Sequence, residues 1–158
     1  MALLALLPLA CQVASNPVDP ASADPAECRI SFDPQEALLT ETADAAERWS
    51  RATGCTLDIA EGGVHVQLWL RIDKADGSQA PGSTSEDLRN VYVHAQASQQ
   101  QRARTVMHEI CHVVGIGGDH VDTDGVCSGR PGRRDIIDAA SLEAVCAHLP
   151  CLAFVPEG

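Results

Sequence analysis

A chain of 158 residues, 45% of them hydrophobic, has material for one compact domain with a real core and too little for two. Its 11 basic residues stand against 22 acidic ones, a formal net charge of -11, which argues against a phosphate-binding surface and so against nucleic acid as a partner.

The first eleven residues, MALLALLPLAC, are apolar and give way abruptly to QVASNPVDPASADPAE. A bilayer-spanning helix needs about 20 apolar residues. Residues 1–11 therefore read as an export signal or lipoprotein segment, and residues 12–27, rich in Pro, Ala, Ser and Asp, as a linker. Ala10 followed by Cys11 resembles the lipobox of bacterial lipoproteins, in which the cysteine becomes the lipid-bearing N-terminus. That resemblance implies membrane attachment through Cys11 and a place in the bacterial cell envelope or outside the cell. Cys28, Cys55, Cys111, Cys127, Cys146 and Cys151 remain. An even number in an exported domain reads as up to three disulfides, whose pairing the sequence does not rank. A thiolate metal site is the rival reading, disfavoured because no CxxC pair occurs.

From Cys28 onward the pattern becomes structured. CRISF (28 to 32) alternates and stops at Asp33-Pro34, which predicts a first strand. Residues 34–53 place Leu38, Ala45, Trp49 and Ala52 on one helical stripe, with Glu41, Asp44, Glu47 and Arg48 elsewhere and Gly54 as a stop. TLDIA (56 to 60), GGVHVQLWL (62 to 70) and NVYVHAQA (90 to 97) predict three more strands. Between the last two, KADGSQAPGSTSED (74 to 87) is polar and rich in Gly and Pro, and reads as a surface excursion. A second helix is expected from Ser98, as N-cap, to Gly115. A third is expected in DAASLEAVCAHL (138 to 149), stopped by Pro150.

The second helix carries the chemistry. Val106, Met107, Ile110, Val113 and Val114 fall in one arc, and His108 and His112 lie opposite it. The helix can thus bury one side while the other faces a cleft. Histidines four apart project together, close enough to hold one zinc ion, and Glu109 is one step around, within reach of a water on it. His65, His94 and His148 are scattered and read as surface or satisfied core residues. DTDG (122 to 125) reads as a turn, since His120 and Pro131 fall where a calcium loop needs oxygen ligands. The Arg130 to Arg134 stretch reads as a solvated loop at the cleft edge.

With Gly115 included, HEICHVVGIGGDH (108 to 120) resembles the H-E-x-x-H-x-x-G-x-x-H signature of the metzincin zinc peptidases, the matrixin-like members most of all. In that family the glycine lets the chain turn so that a third His or Asp returns to the zinc. The signature's third position is Gly118 here, which has no side chain to offer. His120, two places on, is the expected third ligand, delivered by a bulge that Gly115, Gly117 and Gly118 permit; Asp119 is the alternative. GVCS (125 to 128) stands where the family has a methionine turn beneath the metal. Cys127 replaces the methionine, as a soft buried floor, as half of a disulfide with Cys111 or another cysteine, or as a thiolate ligand. AAERWSRATG (45 to 54) and DIIDAASLEAV (135 to 145) are similar to the first and closing helices of matrixin-type domains.

The resemblance implies an α+β, metzincin-like (zincin) domain over 28–158. Its expected parts are a twisted, mostly parallel sheet of about four strands, an N-terminal helix, an active-site helix carrying HExxH and a C-terminal helix. It implies one Zn2+ held by His108, His112 and His120, with Glu109 as general base for peptide hydrolysis. A peptide or protein substrate would pair with NVYVHAQA as an added strand, and a monomer is expected. The alternative is a catalytically inactive, zinc-bearing envelope protein that binds peptides or partners. A purely structural disulfide module would leave Glu109 without a purpose.

Overall fold

The computed structural model describes residues 28–74, 77–130 and 135–157. The expected leader (1–11), the linker (12–27) and all but Arg130 of the arginine loop lie outside the described residues. The fold is mixed α+β, with a five-stranded, mostly parallel sheet and three α-helices. In chain order these are β1 (Arg29–Pro34), α1 (Leu39–Thr53), β2 (Thr56–Ile59), β3 (Val64–Trp69), β4 (Gly82–Thr84), β5 (Asn90–His94), α2 (Gln99–Cys111) and α3 (Ala139–Cys146). Strand order across the sheet is β2-β1-β3-β5-β4. Only β4, at the edge beside β5, runs antiparallel.

The count of strands is one more than expected, and the extra one matters. Gly82–Thr84 lies inside the stretch read as a surface excursion, yet it pairs Gly82 with Val93 and Thr84 with Val91. Since side chains alternate along a strand, positions 82 and 84 share the face of the buried Val91 and Val93. β5 is therefore flanked on both sides, and the free edge at this end of the sheet belongs to β4. The sequence suggested that a substrate strand would pair with NVYVHAQA, but both edges of β5 are already occupied.

The four parallel strands turn most of their apolar residues to the helices. Phe32, Leu57, Val66, Val91 and Val93 are buried, together with Leu38, Ala45, Trp49 and Ala52 of the expected α1 stripe. Trp49 reaches across to donate its indole N–H to the Met107 carbonyl at 3.4 Å, joining α1 to α2 in the core. The opposite face of the sheet is polar. Ser31 bonds Asp58 at 2.7 Å, Gln67 bonds Asn90 at 3.3 Å, and Trp69 packs on Tyr92 with ring centroids 5.3 Å apart.

α1 stops where the sequence placed its stop, with Gly54 in the left-handed region at φ 73°. α2 begins at Ser98 with a reciprocal capping box to Gln101. Asp138 caps α3 by accepting from the Ser141 amide at 2.9 Å. Burial pushes the Asp138 carboxyl up, but hydrogen bonds from Ser141 and Thr123 outweigh it and hold the group below the ordinary aspartate range. Three disulfides, Cys28–Cys55, Cys111–Cys127 and Cys146–Cys151, account for the six cysteines of the domain, as expected of a chain that matures in an oxidising compartment. Among the described residues no helix is long and apolar enough to cross a membrane.

The C-terminal segment straps α1 to the α3 side of the molecule. The Leu152 and Ala153 amides donate to the Thr53 carbonyl at 2.7 and 2.8 Å, and the Glu157 amide donates to the Ile137 carbonyl at 2.7 Å. The Glu157 carboxylate accepts from Arg48 at 2.5 and 2.8 Å and from the Ile137 amide at 2.8 Å. Hydrogen bonding from Arg48 lowers the Glu157 pKa against the opposing effect of burial. A lowered folded pKa contributes stability that is complete above the ordinary glutamate value and fades as pH falls through the folded one. Glu157→Gln should therefore cost about 1–2 kcal/mol at neutral pH, given a pair only partly screened by solvent. In urea unfolding curves the gap to the wild type should close as the pH is taken below the ordinary carboxylate range; a gap independent of pH would refute the charge-based account.

Candidate metal centre

α2 buries Val106, Met107, Ile110 and Cys111 in the core and turns His108, Glu109 and His112 toward a cleft. The cleft, about 620 Å³, has one wall from Gly82, Thr84 and Glu86 and the other from Gly117, Gly118 and His120. His108 and His112 are themselves nearly buried, whereas His120 is exposed. The expected helix to Gly115 is regular only to Cys111. Over His112–Ile116 it widens into a π turn, and the Gly117 amide donates to the His112 carbonyl at 3.2 Å.

That widening takes up part of the two-residue extra length of the motif. A π turn takes one more residue per turn than an α-helix. Gly117 then reverses the chain at φ 58°, a conformation that costs glycine little. Gly115 is extended, at φ 176°, and its role is space: a Cβ there would stand 2.8 Å from the Val145 carbonyl oxygen of α3. The chain returns and places the His120 ring beside the other two.

The three imidazoles share one point. His108 Nε2 lies 3.3 Å from His112 Nε2 and 3.2 Å from His120 Nε2. The ring centroids are 5.0 to 5.2 Å apart. The outer nitrogens decide what the inner ones are. His108 Nδ1 lies 2.7 Å from the Val126 carbonyl oxygen, and His112 Nδ1 bonds the Gly117 carbonyl oxygen. A carbonyl only accepts, so both rings carry a proton on Nδ1, and a neutral ring then turns its Nε2 lone pair inward. Three nitrogens around a tetrahedral zinc at about 2.0–2.1 Å would be spaced by about 3.3 Å. The donor set and its spacing fit a divalent metal ion, and these three histidines could hold one.

Glu109 is 4% exposed and sits at the same cleft. The Thr84 hydroxyl donates to its Oε2 at 2.9 Å. On the same face of β4, a Cβ on Gly82 would stand 2.7 Å from Glu109 Oε1 and 2.3 Å from the Thr105 methyl. Gly82 thus leaves room for one carboxylate oxygen while Thr84 holds the other. Neither residue was visible as a site residue in the sequence, and nor were the Val126 and Gly117 carbonyls, which have no side-chain signature.

The remaining candidates fall elsewhere. Asp119 is exposed and outside the cluster of possible ligands found among the described residues. Cys127 is fully buried and bonded to Cys111, so it is neither a free thiolate nor a loose floor. His65 lies 3.4 Å from Asp33 on the polar face of the sheet, and His94 Nδ1 accepts from the Gln96 amide at 3.2 Å. Asp122 and Asp124 of the DTDG turn both face Arg130.

No family model matches the chain, and no curated protein does. Among solved structures, that of myroilysin aligns over 65% of this chain and 53% of its own length, at 15% sequence identity and a TM-score of 0.39. The aligned part thus spans about half of that protein.

The contact at Gly115 gives a test of the local geometry. The atoms an added methyl would meet are backbone atoms of α3, which cannot swing aside. Gly115→Ala should destabilise the fold by about 1–3 kcal/mol, read as a lowered melting temperature, whereas Gly118→Ala, with nothing within 4 Å, should leave it unchanged.

Proposed function

We propose that this protein is a zinc-dependent endopeptidase of metzincin-like fold, with His108, His112 and His120 as the metal ligands and Glu109 as the general base. The observation that carries the reading is the convergence of three Nε2 atoms beside a carboxylate held in the same cleft. A zinc ion in that site supplies Lewis acidity toward a carbonyl oxygen and lowers the pKa of water.

The chain's own residues do the rest. An extended peptide adds to the free edge of β4, where residues Gly82 to Glu86 line the cleft. Glu109 takes a proton from the attacking water and returns it to the leaving amine. Thr84 orients that carboxylate by its hydrogen bond to Oε2, leaving Oε1 toward Gly82. Val126 and Gly117 keep the His108 and His112 rings in the tautomer that presents Nε2. The inactive peptide binder rested on the longer spacing and the missing methionine. The π turn and the reversal at Gly117 together accommodate the first, and a buried disulfide stands in the place of the second.

We expect the zinc-loaded protein to cleave an unfolded protein such as casein, and Glu109→Gln to lower kcat by about 10²- to 10⁴-fold with zinc content unchanged. Thr84→Val should lower kcat by about 10-fold or more at little changed KM, and Thr84→Ser should restore it. Zinc at one equivalent with no cleavage of any peptide would favour the inactive binder. The reading also places the protein at the envelope, held by an acylated Cys11. Partition into a detergent phase should vanish in Cys11→Ser, and persistence there would count against the anchor.

A further inference from the structure

The segment from Val126 to Gly129 touches two of the three histidines. The Val126 carbonyl accepts from His108 Nδ1 at 2.7 Å. The Cys127 carbonyl accepts from the amide of Val121, the residue after His120, at 3.1 Å, and Val121 bridges to Ser128. Gly129 lies close against His120, where a Cβ would stand 2.9 Å from Cγ and 3.1 Å from Nδ1. In the middle of this segment Cys127 is bonded to Cys111, on the buried side of α2 between the two helical histidines. The bond therefore ties the histidine-bearing helix directly to the strip of backbone that orients His108 and His120.

Nothing else described fixes that strip to α2 covalently. Cys28–Cys55 joins the starts of β1 and β2 at the far end of the sheet from β4, and Cys146–Cys151 closes the end of α3. The orienting hydrogen bond goes from His108 Nδ1 to a backbone carbonyl, whose position depends on where the strip lies. Loss of such an outer contact on a ligating histidine typically costs about 10- to 100-fold in metal affinity.

We propose that the Cys111–Cys127 disulfide completes the metal site, so that the three histidines hold zinc tightly only after this bond has formed. The inference rests on the metal-site reading above. Formation follows ordinary exchange: the two thiols pass two electrons and two protons to a disulfide donor of the oxidising compartment, which leaves as two thiols. In a reducing compartment the chain keeps both thiols and holds zinc weakly, so hydrolysis waits for export. Once made, the bond is shielded, because both cysteines are fully buried.

The test is zinc affinity of the purified protein, measured by competition with a chromophoric chelator and needing no substrate. Cys111→Ala with Cys127→Ala should weaken zinc binding by about 10- to 100-fold. Cys28→Ala with Cys55→Ala should lower the melting temperature and leave zinc affinity unchanged. Should the first pair not fold, Cys111→Val with Cys127→Ala refills the lost volume without the bond and carries the same comparison. Exchange of the His108 Nδ1 proton, followed by NMR, should quicken in the first pair and not in the second. Wild-type affinity in the Cys111 and Cys127 variants overturns the inference while leaving the metal site intact. A wild type that binds no zinc overturns the site itself.

Discussion

Imidazole nitrogens that turn their lone pairs to a common point repel one another unless something positive lies between them, so a protein that converges three must hold each ring by force from outside. Here the force is applied at the outer nitrogens. The Val126 and Gly117 carbonyls fix the His108 and His112 rings, and Gly129, lacking a Cβ, leaves room for the His120 ring. Carbonyl oxygens accept and never donate, which removes any choice of tautomer. The spacing of 3.2 to 3.3 Å between inner nitrogens is what a tetrahedral divalent ion with bonds of about 2.0–2.1 Å would require.

The rest of the fold supplies rigid ground for those contacts. α2 lays Val106, Ile110 and Cys111 on the core and so cannot rotate its histidines away. The π turn and Gly117 bring the third ring back, α3 packs so closely that position 115 has no room for a Cβ, and the Cys111–Cys127 bond pins the strip below. β4 closes the cleft from the sheet side and presents Thr84 to Glu109. Sheet, helix and loop each contribute one wall of a single site.

Much of this was legible in the sequence, for reasons that can be named. Strong alternation marked β1, β2, β3 and β5, and the Ser98 and Gly54 signals marked helix ends that the structure places at the same residues. The opposition of His108 and His112 to an apolar arc followed from helical geometry alone. β4 escaped because Gly-Ser-Thr is three residues long and has no apolar alternation to show; its place comes from pairing with β5 and from the carboxylate it faces. Glu41 lies off the apolar stripe of α1 and is nonetheless buried, because tertiary packing covers a position that periodicity alone does not mark. The pairing of Cys127 stood open in the sequence because it depends on which loop passes beneath α2.

X-ray absorption at the zinc edge of the metal-loaded protein addresses the central claim most directly. The account predicts a first shell of nitrogen and oxygen at about 2.0–2.1 Å, with the outer-shell multiple scattering of three imidazoles and no sulfur. A sulfur shell at about 2.3 Å, or scattering from only two imidazoles, would contradict it.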